Sequence, residues 1–76
     1  MSPNIIKVAP QDDYQILLSF DNGEVKTFDM KPYIDKGFFK QLKNKEYFNS
    51  VKPSFNSIQW PNGQDLSPDT LYLDSH

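Results

Sequence analysis

YQILLSFDNGEVKTFDM, residues 14–30, is the stretch that decides the fold. Apolar and polar residues alternate up to Phe20, which places Tyr14, Ile16, Leu18 and Phe20 on one face of a strand. Asp21-Asn22-Gly23 supplies a turn, and Glu24 to Met30 a second strand, so the stretch reads as a β-hairpin. Two registers compete. A two-residue loop at Asn22-Gly23 pairs Phe20 with Val25 and sends Phe28 and Met30 to the opposite face. A three-residue loop, Asp21-Asn22-Gly23 with Gly23 left-handed, shifts the pairing by one residue and joins Phe28 and Met30 to the first strand's apolar face. A one-residue slip exchanges the faces of a whole strand, so burial selects the three-residue loop. Leu17 and Val25 are left on the second face.

Outward from the hairpin the elements are short. Ile5 to Ala9 (IIKVA) is β-branched and suits a strand, and Pro10 to Asp13 (PQDD) has turn composition. KPYIDKG breaks the strand after Met30. GFFKQLKNKEYFNSV then reads helical, with Phe38, Phe39 and Leu42 in one apolar stripe. Asn44 either stops this helix or caps a second short turn holding Tyr47 and Phe48. VKPSF and SIQW read as two short strands around Asn56, with Pro53 at an edge. In SIQWPNGQDLSPDTLYL, residues 57–73, Trp60 ends a strand, Pro61-Asn62-Gly63 turns, and Asp65 and Leu66 connect to the last element. Ser67, Pro68 and Asp69 make a helix start: N-cap, proline in the first turn, and an acid at the positive end of the helix dipole. Leu71 with Leu73 or Tyr72 docks that helix.

The expectation is an α+β fold. A small, mostly antiparallel sheet, with an N-terminal β-meander carrying the Asn-Gly hairpin and a later short hairpin, packs with two or three short helices in one compact domain, 1–76. A chain of 76 residues with 37% hydrophobic residues builds only one modest core, and the 14% aromatic content implies that a few large rings carry it. Cysteine is absent, which removes disulfides and thiolate metal sites. MSPNIIKVAP lacks a signal-peptide layout, and no apolar run approaches the roughly 20 residues that span a bilayer. A cytoplasmic protein is expected.

Several of these segments resemble the bacterial and phage family called domain of unknown function 2442. They are LLSFDNGEVKTFDM, PYIDKGFFKQL, YFNSV and IQWPNGQDLSPDTLY, which together cover nearly the whole chain. The last is the most specific, because Trp-Pro-x-Gly followed by Asp-Leu and Ser-Pro-Asp is an uncommon run. The resemblance implies a small α+β domain and supplies no catalytic residues. Some relatives carry a helix-turn-helix unit after this domain; a chain of this length has no room for one, so that role does not transfer. Family members are thought of beside small toxin-like neighbours, so the resemblance also implies an antitoxin-like, partner-binding role.

Charge is divided. The net charge is −2, but between Lys31 and Lys52 six lysines face two acids, a net +4, and elsewhere two lysines face eight acids, a net −6. Lys36, Lys40 and Lys43 form a basic ridge if the helix is continuous, set against the simpler reading of a solvated face. Arginine is absent, and the acidic balance argues against general nucleic-acid affinity; weak, salt-sensitive binding through this ridge is the alternative. Asp65 and Asp69 near Tyr72 make a candidate carboxylate site for a small enzyme, against a bland reading in which both serve turn and helix dipole. Trp60 is read mainly as core and secondarily as an interface residue. His76, the single histidine, lies in a terminus expected to fray and is the sort of residue an expression tag leaves. No metal or cofactor is expected. The leading expectation is a non-enzymatic protein-interaction or regulatory module that uses Lys36, Lys40, Lys43, Trp60, Asp65, Asp69 and Tyr72 toward a protein partner. Exposed sheet edges also admit a homodimer.

Overall fold

The computed structural model of the chain describes residues 3–54 and 56–76. Its elements are β1 (Ile5–Pro10), β2 (Gln15–Phe20), β3 (Val25–Asp29), α1 (Lys45–Phe48), β4 (Lys52–Ser54), β5 (Ser57–Gln59), β6 (Asp65–Leu66) and α2 (Pro68–Asp74), with 3₁₀ segments at Asp12–Tyr14 and Gly37–Lys43. The strands form two antiparallel three-stranded sheets, β1-β2-β3 and β4-β5-β6, with β1 packed beside β4 and β5. This is the small α+β fold that the sequence predicts, with its strands divided between two sheets.

The hairpin takes the three-residue loop. Ser19 lies opposite Val25 and Ile16 opposite Phe28. Phe20 N–H donates to the Glu24 carbonyl at 2.9 Å, and Gly23 sits at φ 90°, where only glycine is unstrained. Ile16, Leu18, Phe20, Phe28 and Met30 are all buried on one face, as burial demanded. They share a single core with Ile5, Leu42, Phe48, Ile58, Trp60 and Leu71, against which Tyr14, Tyr47 and Tyr72 pack.

The entry to β2 is bent. Asp13 and Tyr14 both have positive φ, 63° and 59°, uncommon for an aspartate and strained for an aromatic residue. Tyr14 is held there from three sides. Its carbonyl accepts from Met30 N–H at 2.9 Å, its hydroxyl donates to the Lys43 carbonyl at 2.5 Å, and its ring meets Phe48 edge-on at 5.4 Å.

The end of the chain is better anchored than expected. His76 exchanges both backbone hydrogen bonds with Thr27, at 2.7 and 2.9 Å, and so covers the outer edge of β3 at that position. Fraying is therefore the wrong description of residue 76. One further expectation needs correcting. Asp65 and Leu66 are not a plain connector: they form β6, with Asp65 opposite Gln59 and Leu66 opposite Ile58. Of the two alternatives for docking α2 beside buried Leu71, it is Tyr72 that packs against the core, and Leu73 is exposed. The cap is as read, Ser67 Oγ accepting from Thr70 N–H at 3.1 Å with Pro68 in the first turn.

Candidate functional site

The basic, aromatic segment after Ile34 does not form one α-helix. Gly37, at φ 45°, turns the chain into a 3₁₀ helix over Gly37–Lys43, and Asn44 then caps the separate short helix α1, its side chain accepting from Glu46 and Tyr47 N–H. The pitch matters for function. At three residues per turn, side chains three apart line up. Phe39 and Leu42 share the inward row, half-buried and buried, while Phe38 is rotated outward and 60% exposed. The three-member stripe expected from α-helical spacing therefore loses its first member to the surface. The lysine ridge changes for the same reason. Lys40 and Lys43 share a row, but Lys36 precedes the helix in extended conformation, with its ammonium 5.9 Å over the Tyr33 ring.

Lys43 is already engaged: its Nζ lies 2.6 Å from Asp35 Oδ1, and that hydrogen bond holds the Asp35 carboxyl below the usual carboxylate range. Phe38 is exposed, as are Lys36 and Lys40, which stand two positions before and after it in the sequence.

The WPNGQ turn holds this surface in place. Trp60 N–H donates to the Gln64 carbonyl at 2.9 Å and Gly63 N–H to the Trp60 carbonyl, closing the turn between β5 and β6. Gln64 is 1% exposed, and its side chain reaches across to the 3₁₀ helix. Its Nε2 donates to the Phe38 carbonyl at 3.1 Å and to Gln41 Oε1 at 2.9 Å. Gln41 Oε1 also accepts from Asn62 Nδ2 at 2.9 Å. Tyr47 completes the network, donating its hydroxyl to Gln64 Oε1 and accepting from Asn62 N–H. Trp60 is 1% exposed, stacks obliquely near Phe48, and donates Nε1–H to the Phe48 carbonyl at 3.0 Å. The indole therefore has no surface to offer a partner and acts from beneath. Gln64 carries no periodic signal in the sequence, which is why its role as the hub was missed. Phe38 was hidden by an α-helical spacing that the chain does not adopt.

The other sequence-selected residues lie on β6 and α2. Asp65 lines an open cleft of about 350 Å³ on the β4-β5-β6 sheet, together with Ser54, Ser57, Gln59 and Leu66. Two of its polar groups are spent internally, Ser54 Oγ on Gln59 Oε1 and Ser57 Oγ on the Leu66 carbonyl. Asp69 occupies the first turn of α2. Tyr72 is committed to the hairpin: its hydroxyl proton goes to Glu24 Oε1 at 2.6 Å, and Lys26 Nζ sits 3.8 Å over its ring. That bond lowers the Glu24 carboxyl and raises the Tyr72 phenol relative to their ordinary values. Tyr72 thus sits in a Glu24–Tyr72–Lys26 cluster. Among the described residues no group of three or more histidines, cysteines or acids could hold a metal ion, and no helix is long and apolar enough to cross a membrane.

Residues 5–76 match a family model described as protein of unknown function (DUF2442). No curated protein and no solved structure matches the chain.

Proposed function

Because the chain belongs to the DUF2442 family, whose description carries no activity, we propose a function from its own surface: it is a non-enzymatic protein-interaction module that docks an acidic partner on Phe38, flanked by Lys36 and Lys40. The observation that carries this reading is the exposed Phe38 ring on a backbone pinned by buried Gln64. An aromatic on a rigid base is the kind of residue that dominates binding energy, since little entropy is lost on docking. The surrounding lysines belong to the one segment of net positive charge, which favours a partner of opposite sign and speeds its association. An antitoxin-like or other regulatory role in the cytoplasm is the biological form this reading takes.

Recovery of the untagged protein from native lysate tests it. The expected result is a stoichiometric complex that salt weakens and that Phe38→Asp abolishes without unfolding the chain. A lone protein, or a complex indifferent to Phe38→Asp and to Lys36→Glu with Lys40→Glu, overturns it.

A further inference from the structure

We propose that the outward face of the β1-β2-β3 sheet is an interface between two copies of this chain, related by a two-fold axis that sets Lys7 of each copy against Asp29 of the other. The inference uses none of the Phe38 patch and goes beyond the reading above. It follows from the register. Lys7, Ser19 and Val25 form one row across the sheet, Ala9, Leu17 and Thr27 the next, and Gln15 and Asp29 the third. Their neighbours in sequence, Ile16, Leu18, Phe20 and Phe28, point into the core, so these rows point away from it.

An antiparallel sheet covered on one side ordinarily shows polar residues on the other. Here the centre of the free face is Leu17, flanked by Ala9 and Thr27, with Val25 60% exposed beside them. Ile6, the extra residue of a bulge in β1 next to Lys7, is 63% exposed. One exposed apolar side chain is unremarkable, but a contiguous group marks a contact surface.

Charge identifies the occupant. Lys7 and Asp29 lie at opposite corners of this face, each roughly 8 Å from Leu17 at the standard spacings of strands and residues. Lys7 has no ion-pair partner among the described residues. Asp29 uses Oδ1 to accept from Lys31 N–H at 2.9 Å and is in no ion pair among the described residues. A two-fold axis lying in the face, through Leu17 and roughly toward Val25, exchanges the two corners. Lys7 then meets Asp29 twice, and Leu17 meets its own copy. The surface is self-complementary, as a closed dimer requires. The strands of the two copies cross near a right angle, one of the two standard packings of sheets. An edge-to-edge dimer along β3 is disfavoured by comparison, because His76 already occupies Thr27.

Sedimentation equilibrium of the purified chain decides the matter. The wild type is expected to dimerise reversibly at concentrations up to about 0.5 mM, a modest affinity suited to a small face. Leu17→Asp gives a monomer with an unchanged far-UV spectrum. Lys7→Asp and Asp29→Lys each place like charges together at both corners and are monomeric alone; mixed, they present opposite charges at both corners and the dimer returns. A wild type monomeric throughout that range, a dimer indifferent to Leu17→Asp, or a mixture that associates no better than its components overturns the proposal.

Discussion

Tyr47 donates its hydroxyl to Oε1 of Gln64 at 2.5 Å, and the same glutamine's Nε2 spans from the Phe38 carbonyl to Gln41 Oε1. One buried amide therefore ties α1, the 3₁₀ helix and the β5-β6 turn together. Replacing Gln64 by Leu takes this partner from the Tyr47 hydroxyl and the Phe38 carbonyl, while Gln41 Oε1 keeps its bond from Asn62 Nδ2. A loss of about 2 kcal/mol or more is expected, from the desolvation of each orphaned polar group. Gln64→Glu keeps the acceptor for Tyr47 but turns a negative charge on two other acceptors, so its loss is larger at neutral pH and shrinks on acidification. Urea unfolding of both variants measures this, and equal curves for wild type and Gln64→Leu would remove the hub role.

Trp60 is the only tryptophan and is almost wholly buried, so its emission reports the core directly. The native protein is expected to fluoresce at short wavelength and shift red on unfolding. Trp60→Phe keeps a ring but removes the indole donor at 3.0 Å from the Phe48 carbonyl, leaving it only the longer bond from Val51 N–H at 3.4 Å, with an expected cost of about 1–3 kcal/mol. Trp60→Ala opens a cavity and costs about 3–5 kcal/mol. Denaturant curves followed by circular dichroism check both values. A neutral Trp60→Phe is incompatible with the bond from the indole nitrogen.

What was legible in the sequence was what short-range chemistry fixes. Alternation in residues 14–20 and 24–30, with Gly23 for the left-handed turn, was enough to set the hairpin register, because the competing register exposes Phe28 and Met30. Ser67-Pro68-Asp69 gave the start of α2, and Asn44 the break before α1. The misses are long-range. Whether Gly37–Lys43 winds as 3₁₀ or α depends on tethers from Gln64 and Tyr14, which lie distant in the chain. β6 is two residues long and exists only because Ser57–Gln59 offers it an edge, so no periodicity could reveal it. Tyr72 finds Glu24 across 48 positions, and neither residue's local setting predicts the other.

Backbone sign supplies a prediction free of side-chain contacts. Gly23 and Asn56 both adopt positive φ, 90° and 69°, and a Cβ on Gly23 would meet no atom within 4 Å. Gly23→Ala therefore loses stability through backbone strain alone, by about 1 kcal/mol. Asn56→Gly relieves a left-handed residue but loosens the unfolded chain, and the two effects leave it within about 0.5 kcal/mol of wild type. Thermal melts of the pair check the contrast. A stabilised Gly23→Ala is inconsistent with the three-residue hairpin loop.

Acid should weaken the fold through Glu24. Its carboxylate accepts from Tyr72 Oη at 2.6 Å and from Asn22 Nδ2 at 2.5 Å, with Lys26 Nζ 3.8 Å away, and these contacts hold its folded pKa below the unfolded value. A depressed carboxylate contributes stability above its ordinary pKa of about 4.3, and the contribution disappears as pH falls through the folded value. Tyr72 works in the opposite direction. The same bond raises its phenol, so its contribution is intact below the ordinary value near 10 and is lost as pH rises through the folded one. The two limbs therefore share one hydrogen bond, to which Asn22 and Lys26 add on the acid side and the partly buried Tyr33 phenol, also raised, on the alkaline side. Unfolding free energies measured from about pH 6 down to about pH 2 should fall less steeply for Glu24→Gln than for wild type, with Asp35 and its Lys43 partner supplying part of the slope that remains. Tyr72→Phe removes the largest cause of the Glu24 shift and should flatten the acid limb as well, while leaving Lys26 to pair with Glu24. An acid limb unchanged in Tyr72→Phe would show that the bond does not set the Glu24 titration.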